Sequence, residues 1–200
     1  MGDGTEGHGG VTRIEAFSDG VIAIIITIMV LEMKAPEEPG VEHLLALWPV
    51  FVSYALSYAY VAIYWVNHHR MFSHARRVTN ALVWANIALL FALSLIPFAT
   101  AYLGSQEFTR EATLLYMSVM ILPSFTYMWL QSVIRRTGSQ EEAAQAYHQR
   151  MIRKGMAATL IYGSGILLTL ISPLIGLACA AFVALLWFLP KGPLDALFGS

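Results

Sequence analysis

Arg13-Ile-Glu-Ala-Phe-Ser-Asp-Gly20 runs without a break into Val21-Ile-Ala-Ile-Ile-Ile-Thr-Ile-Met-Val-Leu31. One cation and two carboxylates stand at the mouth of a segment apolar enough for lipid. Charge beside hydrocarbon is costly and is kept where it has a use. The segment reads as the first transmembrane helix. Across the 200 residues 57% are apolar and 12% charged, about half the charged share of soluble domains, so the chain has more apolar surface than one soluble core can hide.

Outward from this helix, spans of about 20 mostly apolar residues are expected at Ile14–Met33, His43–Asn67, Asn80–Leu103, Ala112–Ile134, Met156–Ser172 and Pro173–Leu189. The last two share one apolar run. As a single helix, Gly155–Leu189 would extend about 52 Å across a hydrocarbon core of about 30 Å. Ser172-Pro173 lies near its middle, and a residue before proline avoids the α region, so a tight hairpin at Ser172–Gly176 is expected. Pro123 should kink the fourth span. Lys34-Ala-Pro-Glu-Glu-Pro-Gly40, a basic turn at His68–Arg77, a short loop at Gly104–Arg110 and a long polar loop at Arg135–Lys154 connect the spans. Thr137–His148 in that last loop reads equally as a solvated connection or a short interfacial helix. Glycine-rich residues 1–12 are expected to be a disordered tail, without the basic start of a secretory signal. Residues 13–189 form the membrane domain, and residues 190–200 a C-terminal tail.

Orientation follows the loop cations. Arg13, Arg70, Arg76, Arg77, Arg135, Arg136, Arg150, Arg153, Lys154 and Lys191 fall on one side, and only Lys34 and Arg110 on the other. Both termini are therefore expected in the cytoplasm, with the chain multi-pass in the cell (inner) membrane. The net charge of −1 argues against nucleic acid. Cys179, the one cysteine, excludes an intrachain disulfide and reads as a small hydrophobe facing lipid or a neighbouring helix.

This topology sets Arg13, Glu15, Ser18 and Asp19 at the depth of Trp65, Asn67, His68 and His69, with Asn80 and Asn86 of the third span nearby. Polar groups near lipid seek one another. A structural lock of the bundle and a proton or ion relay both fit such a cluster, the lock being the commoner fate. A metal site from His68, His69 and His74 is disfavoured, because adjacent histidines diverge on a helix and no cysteine assists. The sequence contains no Walker A loop, no G-x-S-x-G and no H-E-x-x-H, and neither an enzyme nor a cofactor is expected. On the first helix Ile24, Ile28 and Leu31 share one face with Phe17, and Thr27 flanks it. The polar entrance and β-branched wall suggest a pore, although spacing alone fits packing or lipid contact better. The T-V-G-Y-G filter sequence is absent.

Arg13-x-x-x-Phe17-Ser18-Asp19-Gly20 resembles the R-x-x-x-F-S-D motif of the transmembrane protein 175 family of lysosomal and prokaryotic potassium channels. Trp65-Val-Asn-His68-His69-Arg70 resembles the end of that family's second helix. The resemblance covers nearly the whole chain. It implies an all-α membrane protein with six transmembrane helices in a single repeat, assembling in the lipid bilayer as a homotetramer around a central pore lined by the first helices. It implies a constriction at Ile24, Ile28 and Leu31, a threonine near the pore at Thr27, and a polar network at Arg13, Ser18 and Asp19, to which Trp65, Asn67, His68 and His69 are added. K+ would be the permeant ion, conducted passively and with modest selectivity. A proton- or cation-coupled secondary transporter is the alternative, though such folds usually show repeats and broken midmembrane helices.

Overall fold

The computed structural model describes residues 3–188, with side chains from residue 9 onward; Leu189 and the expected tail at 190–200 lie outside the described residues. Eight helices follow in order: α1 (Asp3–Leu31), α2 (Val41–Ala46), α3 (Trp48–Phe72), α4 (Asn80–Ser94), α5 (Ile96–Ser105), α6 (Arg110–Thr137), α7 (Glu142–Thr169) and α8 (Pro173–Phe188). Among the described residues four stretches are long and apolar enough to cross a membrane: Gly9–Leu31, Trp48–Phe72, Asn80–Ser105 and Arg110–Thr137. α8 is apolar but shorter. α7 is long enough, but its first half is charged.

The helices differ from the expected spans mainly at their ends. α1 is already helical at Asp3, so residues 3–12 of the expected disordered tail continue it; once a helix is nucleated, each further residue adds a backbone bond. α3 runs on to Phe72 through the expected basic turn. His69 and Arg70 fill its last turn, where cations offset the negative end of the helix dipole, which leaves residues 73–79 as the actual turn. The third span is divided between α4 and α5 at Leu95, with Pro97 in the first turn of α5, where its missing N–H costs nothing. α6 passes through Pro123 uninterrupted.

The largest correction is at Arg135–Lys154. The expected loop shrinks to residues 138–141, and most of the segment is the first half of α7. Ala144, His148, Met151 and Gly155 recur at helical spacing and are all buried, against a polar opposite face. The Gln145 side chain donates to the Arg135 carbonyl at 2.8 Å and to the Ser139 carbonyl at 3.0 Å. It thereby satisfies one carbonyl that the end of α6 leaves open and one of the following turn. At Gly138 a Cβ would stand 2.5 Å from the His74 carbonyl, so only glycine fits this corner.

The hairpin between α7 and α8 falls at Leu170–Ser172, as expected from Ser172-Pro173. Small residues let these two helices approach closely. A Cβ on Gly176 would lie 2.0 Å from Thr169 Oγ1, and one on Gly165 would lie 3.0 Å from the Cys179 side chain. Cys179, a free thiol, thus packs against the neighbouring helix. α6 is central, with α4, α5, α7 and α8 around it, whereas α1 packs chiefly on α3, α4 and α5.

Candidate functional site on the first helix

α1 has two unlike faces. Ser18, Ile22, Ile25 and Met29, spaced four, three and four apart, are 0–2% exposed against α3, α4 and α5. On the other side Phe17, Ile24, Ile28 and Leu31 are 60%, 58%, 39% and 78% exposed. Thr27 is exposed beside them, its hydroxyl returned to the Ile24 carbonyl at 2.9 Å. The first helix of the chain thus presents a continuous apolar face that the other described residues do not cover.

The inner face is fixed at one end by a chain of hydrogen bonds. Ser18 Oγ donates to the Ile14 carbonyl at 2.8 Å and accepts from Asn86 Nδ2 at 2.9 Å. Asn86 Oδ1 lies 2.8 Å from His68 Nε2. An amide oxygen only accepts, so Nε2 carries the proton, and the donors run in one direction from α3 through α4 to α1. Ser18, Asn86 and His68 are all buried, and His68 is stacked on Phe72 with ring centroids 4.3 Å apart. The remaining ring nitrogen, His68 Nδ1, has no hydrogen-bond partner among the described residues. Two exposed contacts flank this chain: Trp65 Nε1 donates to Asp19 Oδ1 at 2.9 Å, and His69 Nδ1 lies 2.8 Å from Glu15 Oε1.

The structure therefore brings together Ser18, Asp19, Trp65, His68 and His69. It does not bring in the other two expected members. Asn67 donates to the Ile63 carbonyl of its own helix at 2.8 Å. Arg13 is exposed beside a groove formed with Phe17, Val78 and Val83, and its guanidinium makes no ion pair or hydrogen bond among the described residues. Glu15 and Asn86, which sequence places at the right depth without assigning them a role, are the partners that close the network. Among the described residues no group of three potential metal ligands occurs.

A second polar chain, unforeseen from sequence, links α6 to α7. Gln131 Nε2 donates to Tyr127 Oη at 2.7 Å, and Gln131 Oε1 lies 2.5 Å from His148 Nδ1. The His74 ring meets His148 edge-on at 5.1 Å and stacks on Tyr147 at 4.9 Å. Burial, with His74 and Arg135 adding to it, pushes the His148 pKa down to about 4. Burial also raises the Tyr147 phenol. The only sequence signal for this chain is the spacing of Ala144, His148 and Met151 within an otherwise charged stretch.

These features define an all-α, multi-pass membrane protein whose first helix is anchored by polar groups and exposed along one aliphatic face. The endosomal/lysosomal potassium channel TMEM175 family model matches residues 13–97. A potassium channel of Chryseobacterium sp. (strain P1-3) is 40% identical over 179 residues, 89% of this chain and 92% of that one. The chain belongs to the TMEM175 family of ion channels and is not an enzyme. The crystal structure of a lysosomal potassium-selective channel TMEM175 homolog from Chamaesiphon minutus superposes with a TM-score of 0.81 at 28% identity, over 90% of this chain and 97% of that one. The mouse endosomal/lysosomal proton channel TMEM175 is 33% identical over 111 residues, half of this chain but 22% of that protein.

Proposed function

We propose that this protein is a passive, modestly potassium-selective cation channel. Four copies would surround a central pore lined by α1, with Ile24, Ile28 and Leu31 forming the constriction and Thr27 beside it. The observation that carries the reading is the asymmetry of α1: its uncovered face holds these residues, while its covered face holds Ile22, Ile25 and Met29. The bacterial relatives, themselves potassium channels of similar length and fold, support it. Six spans are read by counting α7 and α8 with the four longer stretches, so that residues 13–189 make up the channel domain. Both termini then face the cytoplasm by the bias of basic loops, in the inner membrane.

Rings of isoleucine and leucine offer no oxygen to replace an ion's water. An ion must pass partly hydrated through a hydrophobic constriction, and potassium, which holds its water less tightly than sodium, loses less. Such a constriction also closes by dewetting. The network of Ser18, Asn86 and His68, with Asp19–Trp65 and Glu15–His69 beside it, anchors α1 rather than meeting the ion.

Coupled transport is the second reading, favoured by the ionisable Glu15–His69 pair at the same end and by the proton channels among the relatives. Potassium flux into liposomes at one fixed pH separates the two. A channel runs down the potassium gradient and reverses at the potential set by the ion ratio. A coupled transporter moves protons together with potassium, so the liposome lumen changes pH as potassium flows and its reversal potential depends on the pH difference as well. Ile24→Asn, which wets the ring, should lower potassium-over-sodium selectivity; an unchanged reversal potential would remove Ile24 from the ion path.

A further inference from the structure

Hydroxyl groups from three helices meet inside the bundle, in a part of it that α1 does not line. Tyr60 and Tyr64 come from α3, Ser124 and Tyr127 from α6, and Tyr162 from α7. All five line one cavity of about 20 Å3, and Val183 and Ala184 of α8 form its fourth wall. Tyr60, Ser124, Tyr127, Tyr162 and Val183 are all buried. The inner end of the cavity is thus enclosed by α3, α6, α7 and the middle of α8.

The protons of these hydroxyls do not balance among themselves. A phenol carries one proton, and a carbonyl only accepts. The Tyr60 hydroxyl donates to the Met120 carbonyl, which leaves it no proton for Tyr64. Tyr64 Oη lies 3.3 Å from Tyr60 Oη and 3.4 Å from Ser124 Oγ. Both contacts are long beside the usual O–H···O distance of about 2.7–2.8 Å, and the single Tyr64 proton serves only one of them. The Tyr162 hydroxyl, within the same walls, is buried and has no hydrogen-bond partner among the described residues. A hydroxyl left in that condition is costly inside a membrane protein, where bulk water cannot reach it. One water molecule needs a cavity of roughly 10–15 Å3 and two to four polar partners. The space and the partners are both present here, whereas an apolar cavity of the same size would stay dry.

We infer that this cavity is a binding site for a single internal water molecule. The water accepts the Tyr162 proton and donates to the lone pairs of Tyr60 Oη and Tyr64 Oη. The Tyr64 proton is then free for Ser124, and the Tyr60 proton stays on Met120. Every hydroxyl in the set is satisfied, and α7 is joined to α3 and α6 through the water. The site is separate from the exposed face of α1 and does not depend on the pore reading.

The test pairs a high-resolution structure of the purified full chain with thermal unfolding of Tyr162→Phe. The structure should show an isolated density peak within hydrogen-bond distance of the Tyr162 and Tyr64 hydroxyls, and the same peak should be missing from Tyr162→Phe. Phenylalanine fits the tyrosine's space, so the sign of the melting shift is informative. If water partners the hydroxyl, its removal lowers the melting temperature by about 2–4 °C. If the cavity is dry, the substitution deletes an unpartnered buried hydroxyl, and the melting temperature stays level or rises. A level or raised melting temperature overturns the site. So does a cavity without density in the wild type, a peak that persists unchanged in Tyr162→Phe, or elongated density that marks a detergent or acyl chain in place of water.

Discussion

Asn86→Leu should destabilise the protein more than its size suggests, and a second substitution should restore most of the loss. Asn86 is the middle of the buried chain from His68 through Asn86 to Ser18. Leucine keeps the side chain's branched shape but removes two hydrogen bonds, each worth about 0.6 kcal/mol between membrane helices. It also strands the His68 Nε2 proton in a site where His68 is 0% exposed and its other ring nitrogen already lacks a partner. A buried donor left unpaired costs about 1–3 kcal/mol. The sum is roughly 2–4 kcal/mol, a fall in melting temperature of about 10 °C for a chain of this length. Removing both polar partners is far cheaper than removing one, so adding His68→Phe should recover at least half of the loss, with the new ring stacked on Phe72 as the imidazole is. The assay is thermal unfolding of the detergent-purified protein, followed by fluorescence-detected size exclusion. If Asn86→Leu melts with the wild type, or if the double variant melts lower than either single one, the chain is not what holds α1 to α3 and α4.

Stability should also fall in acid through the α6–α7 contact. The His148 pKa is about 4 in the folded chain and about 6.5 when unfolded, so the unfolded state takes up a proton first as pH falls. Stability is therefore complete above about pH 6.5 and declines towards pH 4, by roughly 3 kcal/mol; in His148→Gln, melting temperature should be flatter across that window, and an unaltered profile would exclude His148 as the titrating group. Gly176→Leu forces a side chain into space where a Cβ alone meets Thr169 Oγ1 at 2.0 Å. Overpacking of this kind costs about 1–3 kcal/mol or more, visible as a lower melting temperature, whereas Gly163→Leu, at an open position of α7, should melt close to the wild type.

The general plan was legible because lipid imposes a length and an uninterrupted apolar character on each span. Trp48–Phe72 and Arg110–Thr137 can hardly be read otherwise, and Ser172-Pro173 marked the hairpin by a local steric rule. The first half of α7 was not legible as part of a long helix, for the opposite reason. Its buried residues, Ala144, His148 and Met151, include a histidine and are outnumbered by charged neighbours on the solvent face, so a window average reads the stretch as loop. In the site, depth could be read but direction could not. Topology set Asn67 level with His68, yet one step along the helix turns its side chain back to Ile63, while His68 reaches Asn86. Arg13 likewise shares a motif with Ser18 and Asp19 but stands on the exposed side of α1. Ile24, Ile28 and Leu31 could be placed on one face from their spacing, and nothing in the spacing distinguishes a face that meets water from one that meets lipid or a neighbour.

That distinction is the centre of the account, and cysteine scanning along α1 tests it most directly. In a Cys179→Ala background, single cysteines are introduced at Ile24, Ile28, Ile22 and Ile25, and potassium currents are recorded before and after addition of cadmium ions. If the exposed face lines a symmetric pore, the thiols at positions 24 and 28 form rings around the ion path, and cadmium blocks those two variants. The variants at 22 and 25, whose side chains are 1% and 2% exposed against the bundle, should conduct through cadmium unchanged. Block at 22 or 25 with none at 24 and 28 would place the ion path on the other side of α1 and contradict the assignment of the pore.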